Sequence, residues 1–227
     1  MFEQTFSADA KSNLAAIGQT PLARQYYLAG GSAVVLHLGH RFSFDLDFFS
    51  KEHFSIDVVL QTLRVLGQIE TFQATADTFN GRLNGYRISF FIYPYPVLEP
   101  FAGYAGVQIA SLTDLAAMKV DAITRRGTKR DFVDLYFICQ RSFPLDKALE
   151  LLFQKFKDYN INPVNVFKSL VYFGDAEKDD TPQMIEKVPW REVKGFFKKK
   201  ANLSIARKSV DFRTATFNPS IHAFFAN

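Results

Sequence analysis

Between Gly30 and Phe49 the chain reads GGSAVVLHLGHRFSFDLDFF: a glycine turn, an apolar run and then an alternation of period two. From Arg41 onward, Phe42, Phe44, Leu46 and Phe48 fall on one face and Arg41, Ser43, Asp45 and Asp47 on the other, as in a half-buried strand. Upstream, Gln25 to Ala29 is a short apolar segment ending at Gly30-Gly31, and Ser32 to Leu38 reads as a helix. Strand, glycine turn, helix and strand in direct succession predict an α/β fold.

Asp45 and Asp47 raise a chemical question, because ionised carboxylates are rarely placed among phenylalanines without a partner. On one face of a strand alternate Cα atoms lie roughly 6.5–7 Å apart, so both acids reach a shared cation. Oxygen ligation by one or two carboxylates, with the remaining positions left to water and phosphate oxygens, suits Mg²⁺, with Mn²⁺ as the alternative ion. The plainer alternative is a solvated acid pair on an exposed strand face, partnered by Arg41. Gly30-Gly31-Ser32 favours the metal. A glycine turn entering a helix presents free N–H groups to an anion, glycine lets a phosphate approach the backbone, and serine adds a hydroxyl. A phosphate cradle followed by two acids on a strand predicts a metal–nucleotide site.

The remaining chain is read more coarsely. Residues 2–18 predict an amphipathic helix with Phe2, Phe6, Leu14 and Ile17 buried, and 55–67 a second helix stopped at Gly67. Ile69–Leu83 and Tyr86–Tyr93 predict a hairpin turning at Asn84-Gly85, with Asn80-Gly81 as the competing turn. The Pro- and Gly-rich stretch 94–108 predicts a boundary between an α/β domain, 1–108, and a helical domain, 109–227. Ser111 and Thr128 open two helices with capping signals, and three more are expected near 145–157, 163–173 and 189–201. With one cysteine and no continuous apolar leader, a cytoplasmic chain without membrane contact is expected.

Two motifs together carry a family resemblance. The GGSAVV opening, LGHR and SFDLDFF are similar to the first motif of polymerase-beta-like nucleotidyltransferases, in the form found in the AbiEii/AbiGii toxin family. The segment KVDAITRRGTKRDFVDLY, Lys119 to Tyr136, resembles the second signature of that family. The resemblance implies a mixed sheet followed by a C-terminal helical domain. It further implies transfer of a nucleoside monophosphate from an NTP to a hydroxyl acceptor, a tRNA 3′ end or a protein, by the toxin of a type IV toxin–antitoxin system with a cognate antitoxin as partner.

In that reading Asp45 and Asp47 ligate metal, and Gly30, Gly31, Ser32 and Arg41 bind nucleotide. Lys119, Ala122 and Arg126, at i, i+3 and i+7, form one helical face on which a small residue lets triphosphate oxygens approach two cations. Asp131 and Asp134 share the polar face of the next helix, where the resemblance implies that at least one works in the active site; with Arg126 and Arg130 they could instead form a salt-bridge lattice. Related enzymes carry a third carboxylate on a later strand, but Tyr86–Tyr93 offers only Arg87 and Ser89 on its polar face. Three outcomes stay open: Asp131 or Asp134 supplies the base, the enzyme works without one, or the chain is a nucleotide-binding module acting through a protein partner with little catalysis. His37 and His40 are read as packing or capping residues. The net charge is +4, and Lys198, Lys199, Lys200, Arg207 and Lys208 form either an RNA grip or a solvated face.

Overall fold

A computed structural model describes residues 1–53 and 55–200. Seven strands form one mixed sheet in the order β3-β4-β5-β2-β1-β7-β6. They are β1 (Tyr27–Leu28), β2 (Asp45–Ser50), β3 (Ile69–Ala74), β4 (Thr78–Leu83), β5 (Tyr86–Ile92), β6 (Ala102–Tyr104) and β7 (Val107–Ile109). Strand β2 is central, antiparallel to β1 and parallel to β5. The helices are α1 (Ala8–Gly18), α2 (Leu22–Gln25), α3 (Gly30–Leu38), α4 (Ile56–Leu66), α5 (Leu112–Arg125), α6 (Lys129–Arg141), α7 (Leu145–Lys155) and α8 (Pro163–Val171), and the described chain ends in helical residues 190–200.

One sheet face is apolar and closed. Leu46, Phe48, Phe79, Ile88 and Phe90 are buried there; Phe48 stacks on Phe90 at 4.9 Å, and Tyr26 meets Phe90 edge-on at 4.9 Å. Full burial of each such ring contributes about 1.5–3 kcal/mol. The alternation of β2 sends Asp45, Asp47 and Phe49 to the opposite face, over which α5 lies, and that half-covered face is the cleft wall.

Several expectations are corrected. Strand β2 begins at Asp45 and not Arg41: the Phe42 and Ser43 amides bond to Gln183 and Thr5 outside the sheet, and Phe44 is 58% exposed. The predicted strand 69–83 is two strands, divided by a tight turn in which the Thr75 amide bonds to the Thr78 carbonyl. Asn84 and Gly85, both with positive φ, make the β4–β5 turn, while Gly81 lies inside β4, where the Glu70 carbonyl leaves no room for a side chain. The predicted break in regular structure over 94–108 instead contains β6 and the start of β7, which extend the sheet beside β1. Helix α1 starts only at Ala8, and Phe2 is 42% exposed. Arg207 and Lys208 lie outside the described residues. Among the described residues no helix is long and apolar enough to cross a membrane.

Candidate active site

A cleft of about 830 Å³ lies between the polar face of the sheet and α5. Gly30, Gly31, Arg41, Asp45, Asp47, Lys119, Arg126 and Asp131 all line it, so residues from both sequence motifs are brought together. Helix α3 starts at Gly30 without a side-chain cap, and its first two residues, Gly30 and Gly31, line the cleft.

The two glycines are required by the protein's own side chains. Gly30 has a φ of +63°, and a Cβ there would sit 2.9 Å from Asp47 Oδ2; a Cβ on Gly31 would sit 2.5 Å from Arg41 Nη2. Arg41 has little freedom to yield, because it is clamped on Asp134. Gly31→Ala is therefore expected to cost about 1–3 kcal/mol by overpacking, read as a lowered urea midpoint with an unchanged slope.

Asp45 and Asp47 are half-buried. Burial and the charge of Asp45 push Asp47 up to about 6. Lys119 and Arg126 offset part of that rise, and two neighbouring carboxylates favour positive charge between them. Arg130 approaches Asp45 at 3.7 Å from a largely exposed position. Ser32 is fully buried; its hydroxyl bonds to the Asp45 carbonyl, lies 3.0 Å from Ser43 Oγ and reaches Asp45 Oδ1 at 3.3 Å. Ser32 thus fixes the start of β2, and its side chain does not face the cleft as expected of a phosphate ligand.

Beneath the floor lies a charged network. Arg41 Nε and Nη2 donate to the two oxygens of Asp134 at 2.7 and 2.8 Å, His40 Nε2 is 2.8 Å from Oδ1, and Lys119 Nζ is 2.7 Å from Oδ2. Burial draws Asp134 up, but Arg41 and Lys119 outweigh it and hold the carboxylate well below its usual range. Asp131 is likewise filled: Lys119 donates to Oδ1 at 2.9 Å, Arg126 to both oxygens, and Thr128 to Oδ2 at 2.6 Å. Burial raises this acid too, and Lys119 and Arg126 again overcome it. Asp131 and Asp134 are consequently poor proton acceptors, and the salt-bridge lattice describes them better than the role of base. Arg41, 3% exposed, belongs to the same lattice. His37, 2.8 Å from the Ala110 carbonyl, is a packing residue as expected.

Register settles where a third acid would stand. Asp47 pairs with Ser89, and Ser89 with Asn80, whose amide donates to Gln73 at 3.0 Å. This row is polar and uncharged. Toward it the cleft has an open arm lined by Phe72, Gln73, Asn80, Gly81 and Arg87. The other arm, past Phe49, is aromatic, with Tyr93, Pro94 and Tyr95 facing Leu115, Met118, Asp121 and Arg125 of α5. Sequence reading missed this arm, although Phe49 continues the alternation that placed Asp45 and Asp47.

Comparisons with known proteins show the family and the fold. A family model described as "Nucleotidyl transferase AbiEii toxin, Type IV TA system" matches residues 79–216, more than half of the chain, taking in α5 and α6. An uncharacterized protein of Aquifex aeolicus (strain VF5) is 39% identical over 183 residues, 79% of this chain and 87% of that protein. Among solved structures, the nucleotidyltransferase toxin MenT4 of Mycobacterium tuberculosis H37Rv superposes with a TM-score of 0.60 at 16% identity, covering 85% of this chain and 80% of that one. A putative nucleotidyltransferase from H. pylori gives 0.54 at 19% identity over 89% and 92% of the two chains. At such identities the structures speak for a shared nucleotidyltransferase fold, while the family model covers the helices that carry Lys119 and Asp131: the chain belongs to the AbiEii nucleotidyltransferase toxin family.

Proposed function

We propose that this chain moves a nucleoside monophosphate from a nucleoside triphosphate to a hydroxyl acceptor, releasing pyrophosphate, with Mg²⁺ or alternatively Mn²⁺. The observation that carries the reading is the juxtaposition of Asp45 and Asp47 with the uncapped start of α3 and with the cationic face of α5. Among the described residues no third His, Cys, Asp or Glu joins the pair. That donor set fits an ion that takes one or two carboxylates and completes its shell with water and phosphate oxygens. When bound, the ion supplies neutralisation and orientation of the transferring phosphoryl group.

The protein's own contribution is positioning. Gly30, Gly31 and Ser32 offer backbone N–H groups to phosphate oxygens at the start of α3. Arg126 and Arg130, both largely exposed, turn onto phosphate oxygens, and Lys119 adds its charge from beneath. The aromatic arm takes the nucleoside and the open arm over Ser89, Asn80 and Gln73 takes the acceptor, a tRNA 3′ end or a protein side chain. The acceptor oxygen bonds to the α-phosphorus as the bond to the bridging oxygen breaks. With Asp131 and Asp134 already paired, the hydroxyl proton leaves to solvent. As toxins of the family belong to two-component systems by description, a separate antitoxin is the protein partner.

The row Ser89–Asn80–Gln73 also supports a second reading, a nucleotide-binding module with little catalysis. Incubation with α-labelled nucleoside triphosphates, Mg²⁺ and total RNA separates the two. The expected result is label in RNA or in protein, abolished by EDTA. Saturable binding without incorporation selects the module, and neither binding nor incorporation overturns both.

A further inference from the structure

The wall of the aromatic arm is held by a buried ion pair that the proposed chemistry leaves unused. Lys155, in the last turn of α7, is 1% exposed, and its Nζ donates to Asp114 Oδ1 and to the Pro96 carbonyl, each at 2.6 Å. The same Nζ lies 5.5 Å from the centre of the Tyr93 ring. Asp114, in the first turn of α5, also accepts from the Leu98 and Glu99 amides at 3.0 and 3.2 Å and from Ser111 Oγ at 2.9 Å. One carboxylate therefore ties segment 96–99 to the helix that carries Leu115, Met118 and Lys119, and one ammonium ties both to α7.

Two features make this pair more than general support. Its contacts converge on backbone groups directly after Tyr93-Pro94-Tyr95, the residues of this segment that line the cleft. The two tyrosines then pack on each other at 4.5 Å, and Tyr95 on Phe156 at 4.5 Å, the residue following Lys155. An apolar side chain at 155 would fill the space without gripping either the Pro96 carbonyl or Asp114. Burial alone draws the Lys155 ammonium below its usual range, so its charge is retained through Asp114.

We propose that Lys155 is a positioning residue for the nucleoside: it does not touch the substrate, but sets the height of the Tyr93–Tyr95 wall above α5. The proposal rests on placing the nucleoside in the aromatic arm. If it holds, losing the Lys155 charge weakens recognition of the nucleoside and leaves recognition of the triphosphate alone.

Lys155→Met keeps most of the stem and removes the charge. The experiment measures KM and kcat for the preferred nucleoside triphosphate, together with the inhibition constant of inorganic tripolyphosphate, which probes only the phosphate end. Lys155→Met is expected to raise KM about tenfold, the scale on which displaced support of a binding group is felt, with kcat within about twofold and tripolyphosphate inhibition unchanged. Lys155→Gln, which keeps one donor, is expected to fall between wild type and Lys155→Met and is the variant read if Lys155→Met does not fold. An unchanged KM in either folded variant, or an equal loss of tripolyphosphate inhibition, overturns the proposal, as does failure of both variants to fold. If the wild type itself holds tripolyphosphate as tightly as the nucleotide, the nucleoside placement fails first and takes the proposal with it.

Discussion

Asp45→Ala is expected to reduce label transfer by about 10²–10³-fold or more, the scale set by removing one preorganised charge from a transition-state site. The fold should survive. Asp45 is 28% exposed on its side chain, its ion pair with Arg130 is long and solvated, and its hold on Ser32 runs mainly through the backbone carbonyl. Pairs of this kind contribute about 0–1 kcal/mol. The side-chain bonds from Ser43 and Ser32 to Oδ1 are lost as well, so Asp45→Asn, which keeps the shape and an oxygen acceptor, is the companion variant. Both variants should melt close to wild type and both should lose transfer. If Asp45→Asn transferred label at the wild-type rate, the carboxylate charge would not be what the reaction needs.

Asp134→Ala acts in the opposite way, on the fold before the chemistry. It strips the shared acceptor from Arg41, Lys119 and His40, all buried, in a network where the partners lie 93 or more residues apart along the chain for the first and last of these. Uncompensated buried charge costs about 3–5 kcal/mol, a large part of the stability of a domain this size. The urea midpoint should fall accordingly. A triple change, Asp134→Leu with Arg41→Met and Lys119→Met, should recover part of the loss while remaining inactive, because it removes Asp134 together with two of its cations and leaves Asp131 held by Arg126 and Thr128.

The same network predicts acid sensitivity. The His40 pKa is lowered by burial despite the bond to Asp134, so below about pH 6.5 the unfolded chain takes up a proton that the folded one refuses, and stability declines. Asp131 and Asp134 are depressed, so their contribution is complete above about pH 4 and is lost as pH falls toward their folded values. Asp47, raised to about 6, works in the opposite sense between about pH 6 and pH 4, so urea midpoints measured from pH 8 to pH 3 should change little at first and then fall steeply. The steep limb should shrink in Asp134→Ala.

How much of this was legible in the chain depends on the range of each interaction. The glycine turn, the alternation that puts Asp45 and Asp47 on one face, the Asn84-Gly85 hairpin and the Ser111 and Thr128 caps are all written within a few residues, because strand and helix periods and capping bonds are local. The common face of Lys119, Ala122 and Arg126 follows from helical spacing alone, and all three line the cleft. The strand start was misplaced because Arg41 and Ser43 mimic the alternation while bonding outside the sheet.

By itself, then, the sequence determined which side chains share a face and which turns the backbone takes. Tertiary packing decided what each charge does: that the buried Ser32 hydroxyl braces the start of β2, that Arg41 lines the cleft while clamped on Asp134, that Asp131 and Asp134 are saturated by cations, that a polar row stands where a third acid was sought, and that Lys155 reaches across to Asp114. The physical reason is that a carboxylate's acidity and role depend on which distant cations burial forces against it, and no local spacing encodes that.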